Sequence, residues 1–234
     1  MKTVILCGGK GTRLRPYTHT VPKPMLLLGR KPIIQYTIEN LKKQGFTDLI
    51  LNVGHLKEQF MDYFKDGKEF GVKIQYSVED QELGDAGSVK NCEKLIDSEH
   101  FMLVMADQLT KVDYRKVAEF HKKQGTLATA AFKMMGMPMQ FGVAEIDKNS
   151  LVTEFKEKPI IENRINAAIY AFSKKALQHF PVKGGISVDV LPKLIKQKQL
   201  TGYTFSDYWV DLGSIHDYEH VNQIVSISDL INGD

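Results

Sequence analysis

Cysteine is scarce in this chain: 234 residues hold two, Cys7 and Cys92, far apart in sequence. Two such residues provide neither a disulfide framework nor a zinc-ligand spacing. Buried free thiols in a reducing cytoplasm are the expectation. Long apolar runs are missing too. No stretch approaches the roughly 18 apolar residues of a membrane-spanning helix. No leader-like segment precedes the first apolar run, so a cytoplasmic protein that does not enter a membrane is expected. Charge of one sign is not in excess: 31 Lys and Arg stand against 28 Asp and Glu, a net charge of +3. That balance argues against nucleic acid as a partner. Anionic small molecules stay open, because they need only local cations. Repeats, linkers and low-complexity stretches are absent as well. The composition is that of an ordinary globular protein, 43% hydrophobic and 25% charged. The length suits one large α/β domain or two small ones, and one domain over residues 1–234 is the simpler reading.

The N-terminal stretch from Val4 to Ile34 is the most informative part. A short apolar run, Val4-Ile5-Leu6-Cys7, reads as a buried strand. It breaks at Gly8-Gly9 and continues through Lys10-Gly11-Thr12-Arg13. Glycines let a backbone approach a ligand and turn its N–H groups toward an anion. Lys10 and Arg13 lie inside this turn, and Arg15 and Lys23 follow, the latter in Pro22-Lys23-Pro24. A polyphosphate site is the reading. Two known phosphate loops do not fit. The dinucleotide fingerprint G-x-G-x-x-G fails because Leu14 stands where its third glycine belongs, and no G-x-x-x-x-G-K-[ST] string occurs.

Periodicity predicts strands at Lys2–Cys7, Asp48–Val53, Val72–Ser77 and His100–Ala106. Helices are predicted between them, at Pro32–Gln44, Leu56–Phe64 and Ala86–Ile96, and after the last, at Val112–Lys123. This alternation argues for a mostly parallel sheet with helices on both faces. Beyond about residue 125 the rhythm changes. Thr126–Lys133, Gly142–Ile146, Leu151–Phe155 and Ile165–Phe172 read as strands joined by short turns, an antiparallel extension of the sheet. Helices are predicted at Lys174–His179, at Val188–Lys198 and from Ile215 to about Ser228, with a strand at Thr201–Phe205.

The string GGKGTRLRP, followed by PKPMLLLGRKPII, resembles the signature of the sugar-1-phosphate nucleotidylyltransferases, or NDP-sugar pyrophosphorylases. The resemblance implies a Rossmann-like three-layer αβα domain with a mostly parallel, mixed sheet. Residues 1–125 would form a nucleotide-binding half and residues 126–234 a sugar-phosphate-binding half. It implies joining of a nucleoside triphosphate to a sugar 1-phosphate, with release of pyrophosphate. Many relatives append a β-helix of hexapeptide repeats. No such repeat is present here, so a core-only monomer or dimer is expected.

By that resemblance, Arg13 contacts the triphosphate and the leaving pyrophosphate, and Lys23 lies over the reacting phosphates. These are the two catalytic candidates, an Arg suited to bidentate phosphate contact and a Lys acting as a point charge. Leu6, Gly8, Gly9, Gly11 and Thr12 complete the triphosphate cradle. Asp107 closes the most apolar run, Phe101–Ala106, where open α/β sheets bind ligands. Asp211, in Trp209-Val210-Asp211-Leu212-Gly213, resembles the family's W-x-D-x-G. These two carboxylates are the implied ligands of one or two Mg²⁺ ions. Glu157 and Lys158 resemble the family's EKP, and Asn166 its NAGIY, with Ala168 where Gly is usual. Together with Gly142 they are the implied sugar-phosphate side.

Residues 79–88 resemble the segment that packs against the base. Glu79, Gly84 and Ala86 are the implied contacts, and Asp85 stands where Thr is usual. A carboxylate at position 79 accepts from two adjacent guanine donors, N1–H and the 2-amino group. Gln, common there in thymidylyl and uridylyl relatives, suits a single ring N–H beside a carbonyl. GTP with mannose 1-phosphate is therefore the preferred pair. A glucose-1-phosphate thymidylyl- or uridylyltransferase is the alternative. A non-catalytic NDP-sugar-binding paralogue is the alternative of another class.

Overall fold

The computed structural model describes residues 1–232 and the side chains of residues 1–225. The chain begins with β1 (Lys2–Leu6), every residue of which is buried. A loop with three single-turn 3₁₀ segments carries it to the small hairpin of β2 (Leu27–Leu28) and β3 (Lys31–Pro32). There follow α1 (Ile33–Lys43), β4 (Asp48–Val53), α2 (Lys57–Phe64), β5 (Lys73–Val78), α3 (Gly84–Asn91), β6 (His100–Met105), β7 (Gln108–Thr110) and α4 (Tyr114–Gln124). The second half supplies β8 (Ala128–Pro138), β9 (Val143–Ile146), β10 (Val152–Lys156), β11 (Ile160–Ser173), α5 (Leu191–Lys196), β12 (Leu200–Phe205), β13 (Trp209–Asp211) and α6 (Ile215–Asn232).

Seven strands form one mixed sheet in the order β12-β8-β11-β6-β1-β4-β5. β6, β1, β4 and β5 are parallel to one another, as are β12 and β8. Only β11 runs against its neighbours. The alternation of a pleated strand sorts its side chains between two cores. Ile5, Leu49, Leu51 and Val104 face α1, α2 and α4. Val4, Leu6, Ile50 and Leu103 face α3 and α5. Such double-sided burial explains why these strands read as continuous apolar runs. Each fully buried Val, Leu or Ile contributes roughly 1.5–3 kcal/mol.

The expected αβα layering and mostly parallel sheet are present. The second half departs in detail. β9 and β10 do not extend the main sheet; they pair with each other in a separate two-stranded sheet. β8 and β11 are longer than periodicity indicated, and their outer halves pair beyond the core, where exposed residues leave no alternation to read. The helix expected at Ala86–Ile96 ends at Asn91 and is followed by a 3₁₀ turn, Glu93–Leu95. The helix expected from Val188 begins as a π-turn, Ile186–Val190.

A third apolar cluster lies outside the sheet. Leu14, Leu26, Leu28 and Ile33 pack against Leu212, Tyr218 and Val221. The Tyr218 hydroxyl donates to Leu27 O at 2.8 Å, and Gly29 N donates to Asn222 Oδ1 at 2.9 Å. The last helix thus fastens the long loop that follows β1.

Candidate active site

Parallel pairing places the loops after β1 and β6 side by side. Leu6 is in register with Met105, and Ala106 N donates to Leu6 O at 3.0 Å. Asp107 therefore emerges beside the glycine loop at the carboxyl end of the sheet, where such folds bind ligands. Asp211 arrives from 104 positions later through a different device. β13 pairs antiparallel with β7, with Asp211 opposite Gln108, and Leu212 N donates to Asp107 O at 3.0 Å.

Lys23 joins the two carboxylates. Its Nζ lies 2.5 Å from Asp107 Oδ2 and 3.9 Å from Asp211 Oδ1. The residue is only 8% exposed, so its charge is held by these partners rather than by water. Pro22 and Pro24 fix the backbone on either side of it, and Pro24 lies in the first turn of a 3₁₀ segment. Gly11 permits the approach. It has φ +58°, and a Cβ there would stand 3.2 Å from Lys23 Cβ and 3.0 Å from Thr18 Cγ2. Arg13 reaches the same place from the next turn, and its guanidinium would stand 3.4 Å from a Cβ on Gly213. Burial raises the Asp211 carboxyl above the ordinary range, and the like charge of Asp107 raises it further, while Lys23 and Arg13 pull it down.

Arg13, Lys23 and Asp107 line a cavity of about 230 Å³; Asp211, 3.9 Å from Lys23, is not part of its lining. Leu6, Gly8, Gly9, Gly11, Thr12, Arg13, Lys23 and Asp107 all line it. Met105, Pro24 and Gly213, which sequence reading had not singled out as contacts, line it too. A second cavity of about 650 Å³ adjoins at Gly9 and runs between residues 54–58 and 79–82. Glu79 forms part of its wall, and Lys10, Lys57 and Lys183 stand around it. Lys10 is paired with Glu82 at 3.3 Å, linking the glycine loop to the 79–85 segment.

Gly84 and Ala86 line neither cavity. Gly84 has φ +73°, and a Cβ on it would collide with Gly184 O. Ala86 is fully buried in the second core, with its N–H donated to Gly184 O at 3.1 Å. The close approach at this turn is to the 182–185 segment. Asp85 has a function there that sequence reading missed: its Oδ1 accepts from Ile186 N at 2.7 Å and from Ala86 N at 2.9 Å.

Gly142, Glu157, Lys158 and Asn166 also lie outside the two cavities. Glu157 and Lys158 are exposed in the turn from β10 to β11. A Cβ on Gly142 would sit 2.9 Å from Glu157 Oε2 and would collide with the Phe155 ring, so these three residues share one patch. Asn166 stands where the β11–β8 register shifts. Its Nδ2 donates to the Tyr170 hydroxyl at 2.8 Å, and its Oδ1 accepts from Ala168 N at 3.1 Å. Ala168 has φ +52°, the conformation that the family's usual glycine adopts freely.

Among the described residues, no three His, Cys, Asp or Glu side chains form a ready cage for a metal ion. Nor, among those residues, is any helix long and apolar enough to cross a membrane.

A family model described as nucleotidyl transferase matches residues 2–227. A UTP–glucose-1-phosphate uridylyltransferase of Synechocystis sp. is 34% identical, with 93% of this chain and 61% of that protein aligned. A mannose-1-phosphate guanyltransferase of Saccharomyces cerevisiae is 35% identical over 93% of this chain and 63% of its own length. The chain thus spans less than two thirds of these relatives. The crystal structure of HddC from Yersinia pseudotuberculosis complexed with GMP-PN shares the fold, with a TM-score of 0.75. The two are 25% identical, with 95% of this chain and 98% of that one covered. The glycine loop, the sheet topology and these likenesses agree, and the chain belongs to the nucleotidyl transferase family.

Proposed function

We propose that this protein transfers a nucleotidyl group from a nucleoside triphosphate to a sugar 1-phosphate. The observation that carries the reading is the convergence of Lys23, Asp107 and Arg13 on the glycine-loop cavity, with Asp211 3.9 Å from Lys23 Nζ. In this reaction an oxygen of the sugar phosphate attacks the α-phosphorus and forms a new P–O bond. The bond from the α-phosphorus to the bridging oxygen breaks, and pyrophosphate leaves with that oxygen. Both reactants are anions, so the protein's part is positioning and charge neutralisation. The glycine-loop N–H groups and Thr12 cradle the triphosphate. Arg13 holds the β- and γ-phosphates and follows the charge onto the leaving group. Lys23 draws the sugar phosphate toward the α-phosphate.

Asp107 and Asp211 suit Mg²⁺. Both offer hard oxygen donors, and a pair of carboxylates fits an ion that uses one or two of them and takes its remaining ligands from substrate phosphates and water. When bound, one or two such ions would neutralise phosphate charge. Glu157, Lys158, Asn166 and Gly142 form the sugar-phosphate side in this reading.

For the base, Glu79 in the wall of the larger cavity favours GTP, and mannose 1-phosphate follows as the partner sugar. The guanyltransferase relative supports that pair. The uridylyltransferase, nearly as similar, supports UTP with glucose 1-phosphate as the second reading. A matrix of nucleoside triphosphates against sugar 1-phosphates, scored by pyrophosphate release with Mg²⁺, tests both. Fastest turnover is expected for GTP with mannose 1-phosphate, and none after chelation of the metal. No turnover with any pair would leave only a non-catalytic, NDP-sugar-binding role.

A further inference from the structure

The ends of β1, β4 and β5 meet at the rim of the two cavities, and the side chains beneath them are polar although buried. Asn52 of β4 is fully buried, and Ser77 of β5 and Ser88 of α3 are buried nearby. Asn91 Nδ2 donates to Ser77 Oγ at 2.9 Å. Asn52 Nδ2 reaches only Ser77 Oγ at 3.5 Å and Ser88 O at 3.4 Å. Both lengths lie beyond the usual range for an N–H donor. Asn52 Oδ1 is buried with no donor, and so is Glu79 Oε1.

These two orphans belong to neighbouring groups. Asn52 Oδ1 and Glu79 Oε2 stand 3.9 Å and 3.6 Å from the point where Gly8 would carry a Cβ. Burial raises the Glu79 carboxyl above its ordinary value, and the nearby Ser88 and Asn52 offset part of that rise.

Buried acceptors with no donor lack a hydrogen, and each one left unsatisfied costs about 1–3 kcal/mol. Two arrangements supply it. In the first, Glu79 is protonated and donates to Asn52 Oδ1. In the second, the Asn52 amide rotates by half a turn and Nδ2 donates to an ionised Glu79. A carboxamide serves both, because it carries a donor and an acceptor on one fork. The two arrangements present different faces to a base. A neutral Glu79 whose hydrogen goes to Asn52 leaves one carbonyl oxygen for a single ring N–H, as thymine and uracil require. An ionised Glu79 held by Nδ2 keeps acceptors for the paired donors of guanine.

We infer that Asn52 is a positioning residue that determines base specificity: its amide turns beneath Glu79 and holds the carboxylate ionised for guanine. This rests on the reading of Glu79 as the base contact. Two near-isosteric variants separate the inference from a packing role. Asn52→Leu removes donor and acceptor. Asn52→Asp removes the donor and adds a like charge that keeps the proton on Glu79. For both, kcat/KM with GTP is expected to fall roughly tenfold or more through KM, with kcat changed by less than about threefold. UTP and dTTP are expected to lose no more than about threefold, so the GTP-to-UTP ratio moves. Glu79→Gln is measured alongside, and melting curves identify folded variants. If Asn52→Leu does not fold, Asn52→Asp alone decides. Equal losses for all three nucleotides, with Glu79→Gln still shifting the ratio, would overturn the inference and spare the base reading. No shift with Glu79→Gln would remove the base reading and the inference with it.

Discussion

Lys23 shows how much one buried side chain depends on its partners. A nearly enclosed ammonium is tolerable only where carboxylates replace its lost hydration, and here Asp107 and Asp211 do so. In Asp107→Asn the charge of the nearer partner is gone. Turnover is expected to fall roughly 10²–10³-fold, the scale of losing one electrostatic contact in an active site. Pyrophosphate release measures it, and a far-UV spectrum like that of the parent shows that the fold survives. Parent-like activity in both Asp107→Asn and Asp211→Asn would remove the metal and charge assignment. Gly11 supplies a second test. An alanine there is left-handed and presses its Cβ between Thr18 and Lys23. Gly11→Ala is expected to cost about 1–3 kcal/mol in urea titration and to raise KM for the nucleotide. Sequence made Arg13, Lys23 and Asp107 legible, because glycine, proline and a closing carboxylate punctuate apolar runs. Asn52 and Asp85 left no such mark. Each lies within a run that reads as ordinary strand or helix start, and only the atoms around it reveal its work.

At the scale of elements, the site is assembled by pieces too small to announce themselves. β7 and β13 have three residues each, below the length at which alternation is visible, yet their pairing brings Asp211 to Asp107. The long central strands and α1, α2 and α4 fell close to their expected bounds, since their periodicity reflects burial on the sheet. The outer parts of β8 and β11 lie outside the core, so the pattern that betrays a strand is weak there; β9 and β10 fell within a residue of their expected bounds, but their pairing apart from the main sheet was not legible. α6 carries a testable load. It fastens the loop of Arg13 and Lys23 through Leu28, Tyr218 and Asn222. Leu28→Ala, at a fully buried position, is expected to cost about 2–5 kcal/mol in denaturant unfolding. Activity should fall with it, since the loop loses its anchor. Loss of stability with unchanged kcat and KM would show that the loop is held by other means.

Across the whole molecule, a buried polar seam joins three strands and a helix far from the cavities. His121 of α4 is fully buried. Its Nε2 meets His100 Nδ1 at 3.2 Å, its Nδ1 meets Thr129 Oγ1 at 3.1 Å, and Thr129 meets Thr201 Oγ1 at 2.8 Å. Burial, with smaller contributions from His100 and Lys122, lowers the imidazole from its ordinary 6.5 to about 4. Above pH 6.5 both folded and unfolded chains hold it neutral, and it contributes no pH dependence. As pH falls from 6.5 toward 4, the unfolded chain takes up the proton first, and stability is lost, by up to about 3 kcal/mol. The difference in unfolding free energy between pH 7 and pH 4.5 should therefore be smaller in His121→Gln than in the parent. An equal difference would assign the acid sensitivity to other groups.

By itself the sequence determined the layered α/β architecture and the family. Both depend on local signals: apolar runs set by double-sided burial, and a glycine loop whose backbone and cations suit phosphate. It also named most of the residues that line the smaller cavity, because nearly all of them lie close together in sequence. Only the tertiary structure decided which distant groups meet. Asp211 reaches Lys23 through a two-strand pairing, and Asn52 and Glu79 come together beneath Gly8 because parallel β4 and β5 end side by side. Gly84 and Ala86 turn toward residues 182–185 instead of a cavity. Contacts of this kind depend on register and strand order, which no local stretch of sequence encodes.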